Sequence, residues 1–244
     1  MRVGNQRKVQ KLSHHRQLNI LMIYNDNRGS YQQEVTALLD DKVFEGAIAM
    51  TQASVKSLTF EEYLIYDDGT DNRYELVNGE LAMVPLPTAD HSDAIDLLSD
   101  AFRAEIRRLE HPWIVKRDVG VYTRTNPVTG KEHSRTPDVC VMTSSQWQEL
   151  KADKKSSAVL RTPPLLAVEI VSPGSKKTDY GSKEEEYKAI RILEYWIVDL
   201  RNAKVSVLLL EASGYKTTEF KGNERIISQA FPELTLTSKQ ILSA

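Results

Sequence analysis

The chain has very little cysteine: Cys140 is alone among 244 residues, so no disulfide can form within it. Its setting, Val139-Cys140-Val141-Met142, marks it as a small buried hydrophobe in a reducing compartment. Long apolar runs are lacking too. Stretches such as Val205–Leu210 are strand-length, far short of the roughly 20 residues a membrane span needs, which excludes a transmembrane helix. The apolar segment Leu18–Tyr24 is followed by Asn-Asp-Asn-Arg with no small-residue cleavage site, so it does not read as a secretory signal, and a cytoplasmic location is the default. There is no excess of either charge: the formal net charge is −2 and the pI about 6.2. A global basic footprint for nucleic acid is therefore excluded, and any such contact must be local. Local basic groups exist at Arg103/Arg107/Arg108, Lys151/Lys154/Lys155 and Lys176/Lys177, although each also reads as solvated surface. No internal repeat or low-complexity tract is present.

What is there is the composition of a soluble globular protein, 41% hydrophobic and 27% charged. The first fifty residues show no sustained period, and only 34–44 reads as a short helix. Met50 reads as a start residue, with 1–49 as an N-terminal extension, poorly ordered or upstream of the true start, and 50–244 as one domain. Thr59 followed by Glu62 predicts a capping box opening a short helix with Phe60, Tyr63 and Leu64 on its apolar face. Residues 73–84 alternate around Asn78-Gly79, the pattern of a β-hairpin whose turn requires positive φ at both positions. From His91 to Leu109 the apolar residues recur at helical spacing. Two strands in 113–123, a loop over 125–136, a short strand at 139–142, a polar segment and a strand at 165–171 follow. A helix over about 181–191, strands near 194–199, 204–210 and 215–220, and a last short helix complete the order. This predicts an α/β fold, a mixed central β-sheet flanked by helices.

Glu169 is the anomaly. It interrupts Leu165-Leu166-Ala167-Val168-Glu169-Ile170-Val171, a run with the character of a strand covered on both faces. Asp138 stands at the mouth of the preceding short strand. If the two strands are neighbours, their carboxylates converge, and such a pair persists where a divalent cation or a shared proton offsets the repulsion. Oxygen donors favour magnesium or manganese over zinc. Lys183 shares one helical stripe with Tyr180, Tyr187 and Ile190, while Glu184, Glu185 and Lys188 fall to the flanks, so this lysine faces the sheet.

The series Pro137-Asp138, Glu169-Ile170-Val171, Lys183 resembles the PD-(D/E)XK nuclease superfamily. The surrounding text, "LTFEEYL", "RYELVNGEL", His91, "TPDVCV", "LAVEIVSPGS", "DYGSKEEEY" and "EYWIVD", is similar to its Uma-two branch of restriction-endonuclease-like proteins over residues 57–243. One departure stands out: Val171 occupies the place of the motif's lysine, and the Uma-two likeness suggests that the lysine has moved to the next helix as Lys183. The resemblance implies a restriction-endonuclease-like fold with an N-terminal hairpin, and a metal-dependent endonuclease that hydrolyses phosphodiester bonds of DNA, or of RNA. It implies Mg²⁺ or Mn²⁺ on Asp138, Glu169 and the Ile170 backbone carbonyl, Lys183 positioning the attacking water, and Glu75 as an extra acidic ligand or water-orienting base. Superfamily members often act as homodimers. Other readings stay open: a weak or inactive nuclease-fold module that binds nucleic acid or a partner protein, or a hydrolase of small phosphate esters. At single residues, Glu169 also reads as a structural carboxylate paired with Lys183 or an arginine, Asp138 as a strand-entry residue and Glu75 as a solvent-face residue. Tyr187 reads as core packing with its hydroxyl bonded, His91 as a helix-start residue, and Trp196 as core.

Overall fold

The computed structural model describes residues 9–11, 21–23, 34–36, 57–126, 128–172 and 174–244. The chain divides into two units, residues 1–55 and 56–244. In the first, β1 (Val9–Lys11), β2 (Leu21–Ile23) and β3 (Glu34–Thr36) form an antiparallel sheet in that order. The helix expected at 34–44 is thus a strand over its first three residues, and the rest of it lies outside the described residues.

The second unit opens with α1 (Phe60–Leu64), and both arms of the Thr59–Glu62 capping box are made. The hairpin follows as β4 (Tyr74–Val77) and β5 (Glu80–Met83). Asn78 and Gly79 carry φ of 52° and 73°, and a Cβ on Gly79 would collide with Ser57, so only glycine fits there. Next come α2 (Ala89–Arg108), β6 (Trp113–Lys116) and β7 (Gly120–Thr125). β8 (Glu132–Arg135), β9 (Val139–Thr143), α3 (Ser144–Ala152), β10 (Val159–Leu160) and β11 (Leu166–Ile170) continue the chain. A π-helical turn over Thr178–Ser182 runs into α4 (Lys183–Ala189). β12 (Glu194–Asp199), β13 (Lys204–Glu211), β14 (Gly214–Phe220) and α5 (Ser238–Leu242) complete it.

Two further expectations are corrected. The loop predicted over 125–136 contains β8, whose Glu-His-Ser-Arg text lacks strand-forming residues but pairs with β7 and β4. The polar segment after β9 is α3, started by a Thr143–Gln146 capping box.

The strands of the second unit form two mixed sheets: a six-stranded one in the order β14-β13-β12-β11-β9-β6 and a five-stranded one in the order β10-β7-β8-β4-β5. The hairpin belongs to the smaller. β11 lies between β12, parallel to it, and β9, antiparallel, with both its faces buried. Leu166, Val168 and Ile170 point into a core shared with Leu98, Phe102 and Ile106 of α2. Ala167 and Val171 point the other way, into a core shared with Tyr187 and Ile190 and with Val121 of the smaller sheet. Because strand side chains alternate, Glu169 belongs to this second face, toward α4 and the smaller sheet.

Candidate active site

In the β9–β11 pairing, Val168 is opposite Val139, so one step further Glu169 stands level with Asp138. Asp138 accepts the Ile170 backbone N–H on Oδ2 at 2.7 Å, and its Oδ1 is 3.1 Å from His91 Nε2. His91 comes from the first turn of α2, so the sheet and the long helix both fix this carboxylate.

Glu169 is 3% exposed and holds one donor on each oxygen. Lys183 Nζ donates to Oε2 at 2.7 Å and the Tyr187 hydroxyl to Oε1 at 2.6 Å. The helix spacing explains the pair: residues four apart on α4 present their side chains to the same spot. The π turn precedes this directly, its Lys183 N–H bonding to the Thr178 carbonyl, and single π turns in helices recur at functional positions.

Lys183 also lies 3.4 Å from Asp179 Oδ1 and 3.9 Å from Glu75 Oε1. Glu75 points inward rather than to solvent: Oε1 accepts the Thr136 N–H at 2.9 Å, and Oε2 accepts from Arg135 Nη1 at 3.2 Å. Arg135 in turn grips Glu186 through Nε at 2.8 Å and Nη2 at 2.6 Å, a bidentate contact. Thr123 Oγ1 donates to the same Glu186 at 2.9 Å.

The electrostatics follow from burial with too few cations. Desolvation pushes the Glu169 carboxyl up to about 8; Lys183 pulls it back, and Asp138, Asp179 and Glu75 push it further. Burial also raises Asp179, against the pull of Lys183. For Lys183, burial works against the ammonium, but Glu169, Glu75 and Asp179 outweigh it and hold the charge well in place. The two partners therefore lean in different senses. One ammonium shared among three acids compensates only part of their charge, and desolvation governs Glu169. Arg135 is held charged in spite of its burial by Glu186 and Glu75, and Glu186 is kept low by Arg135 although burial opposes it.

The structure thus gathers Glu75, Asp138, Glu169 and Lys183 into one site. Its remaining parts, Arg135, Asp179 and Glu186, were not singled out by sequence reasoning. Asp179 had a signal, four residues before Lys183 on the same helical face; Glu186 was masked by the acidic run Glu184-Glu185-Glu186, and Arg135 by its apparent loop. Another buried carboxylate, Glu194, is fully occupied: it accepts from Trp196, Ser228 and the backbone N–H groups of Gln229 and Ala230, and so anchors the 228–231 segment.

Among the described residues, no group of three or more His, Cys, Asp or Glu side chains is arranged to hold a metal ion. Magnesium does not need one, because it keeps waters and binds through one or two carboxylates with substrate phosphates. Asp138 and Glu169 fit it in chemistry, each with a second lone pair on every oxygen beyond its present donor.

Residues 60–239 match the Uma2 family, described as "Putative restriction endonuclease". The chain belongs to the Uma2 family. The Uma2 match contains all four residues gathered above and begins at the first residue of α1. A solved structure from Anabaena variabilis, described as "a putative nuclease belonging to DUF820", superposes with a TM-score of 0.56 at 17% identity, covering 71% of this chain and 92% of that one. At that identity it shows a shared fold. A tyrosine recombinase of Synechocystis sp. is 58% identical over 38 residues, 16% of this chain. The chain spans 12% of that recombinase's length. No helix among the described residues is long and apolar enough to cross a membrane.

Proposed function

We propose that this Uma2 chain is a metal-dependent endonuclease that hydrolyses DNA phosphodiester bonds. The observation that carries the reading is Lys183 Nζ at 2.7 Å from Glu169, on the strand adjacent to the one Asp138 leads into. Asp138 and Glu169, with the Ile170 carbonyl, would hold Mg²⁺ or Mn²⁺. A divalent ion bound there supplies Lewis acidity at the phosphate and a more acidic water. Lys183, kept cationic by its acidic neighbours, orients the attacking water and holds a positive charge against the charge that develops on the phosphate. Glu75, fixed by Thr136 and Arg135, directs its Oε1 toward Lys183 and serves as the acceptor that orients the same water. The activity belongs to residues 50–244, with 1–49 an extension outside the catalytic unit, in a cytoplasmic protein. A homodimer would let two such sites cut opposite strands.

The test is cleavage of plasmid, linear duplex, single-stranded DNA and RNA by the purified chain with Mg²⁺ or Mn²⁺. Cleavage that EDTA abolishes, that Glu169→Ala removes and that Glu185→Ala leaves intact supports the proposal. Should every nucleic acid stay whole, the chain is a nuclease-fold binding module. Should only a chromogenic phosphodiester be cut, it is a small-ester hydrolase.

A further inference from the structure

Tyr187 is 0% exposed, and its ring is packed edge-on against Tyr195 with centroids 5.0 Å apart at 86°. A phenylalanine would fill this apolar pocket equally well, and a hydroxyl taken out of water costs free energy unless it is hydrogen-bonded. Here the hydroxyl donates to Glu169 Oε1 at 2.6 Å. The other oxygen of the same carboxylate takes the ammonium of Lys183 at 2.7 Å, four residues earlier on the same helix face. The helix therefore presents a fork, one prong to each oxygen. A phenol hydroxyl carries one proton to give, and toward this carboxylate oxygen it is the donor. With Lys183 alone, the carboxylate could turn about its terminal bond, because that torsion is soft. A second donor on the other oxygen fixes the plane.

We infer that Tyr187 is a positioning residue that, with Lys183, sets the plane of the Glu169 carboxylate and so preforms the divalent-cation ligand. This rests on the metal-dependent reading above. It assigns the phenol no contact with substrate and no proton transfer.

The test is Mn²⁺ binding by titration calorimetry to the full chain without DNA, alongside steady-state DNA cleavage, for wild type, Tyr187→Phe and Tyr215→Phe. Tyr215 is the matched control: its hydroxyl donates to the Ile192 carbonyl at 2.8 Å and not to Glu169. Tyr187→Phe is expected to bind Mn²⁺ at least fivefold more weakly at unchanged stoichiometry and to lose about tenfold in kcat, whereas mere loosening of the fold would lower the binding stoichiometry together with kcat. Tyr215→Phe keeps both values. Mn²⁺ affinity of Tyr187→Phe within twofold of wild type overturns this inference while leaving the nuclease reading in place. A wild-type chain that neither binds Mn²⁺ nor cleaves DNA in its presence overturns both.

Discussion

Lys183 and Glu169 are fourteen residues apart in the chain, yet their charged atoms meet at 2.7 Å across the boundary between α4 and β11. Val171, just past the end of β11 where the resemblance would put a lysine, packs in the same apolar core as Tyr187 and Ile190. The ammonium comes instead from the helix above, so the strand stays apolar beyond Glu169.

In metal-free protein the folded carboxyl of Glu169 sits near 8 against an ordinary value of 4.5, so the folded state binds the proton more tightly than the unfolded one. The stabilising contribution is complete below the unfolded value and is lost as pH climbs toward 8, by at most ~1.4 kcal/mol per pH unit. Denaturant unfolding in EDTA between pH 5 and 9 reads this slope, and Glu169→Gln should flatten it. An equal slope in the variant would exclude Glu169 as the source.

Lys183→Met removes the charge shared by Glu169, Asp179 and Glu75. Breaking a buried pair from one side costs about 3–5 kcal/mol. Without the ammonium the acids hold their protons longer, so the loss should be larger at pH 8 than at pH 5. Chemical denaturation at both values checks the sign, and a loss independent of pH would place the effect in packing instead.

A double-mutant cycle on Arg135 and Glu186 separates their coupling from burial. Arg135→Met alone takes from Glu186 its bidentate cation and from Glu75 one of its donors, and should cost about 3–5 kcal/mol. Arg135→Met with Glu186→Met should cost less than the sum of the two single changes, because a stranded partner is removed with its mate. Additivity within about 0.5 kcal/mol would mean that the bidentate contact contributes nothing of its own.

Cys140 is 0% exposed, and burial pushes its thiol up, away from the reactive thiolate. A thiol reagent such as DTNB should therefore leave the native chain unmodified at pH 8 and label it stoichiometrically in denaturant. Labelling of the native protein at the rate of a free thiol would show that the sheet opens at β9.

Much of this was legible in the sequence because local rules and tertiary demands agree. The Asn78-Gly79 turn, the Thr59 cap and the helical stripe of α2 each carry their signal within a few residues, and each stands where that signal put it. Glu169 announced itself by contrast, one charge in a strand buried on both faces. Arg135 could not, because its strand is built from Glu, His, Ser and Arg and is held by its neighbours in the sheet rather than by its own propensity. Glu186 is one of three consecutive glutamates, and only the position of Arg135 distinguishes it from the two beside it.

The division of labour between the two sheets has a kinetic meaning. Asp138 and Glu169 stand on the larger one, while Glu75 and Arg135 stand on the smaller and reach Lys183 and Glu186 across the seam. Sub-global opening of the five-stranded sheet would separate Glu75 from Lys183 while the large core stayed closed. Amide exchange across β4 and β8 running ahead of exchange across β11 and β12 would show that the contact between Glu75 and Lys183 is lost before the larger sheet opens.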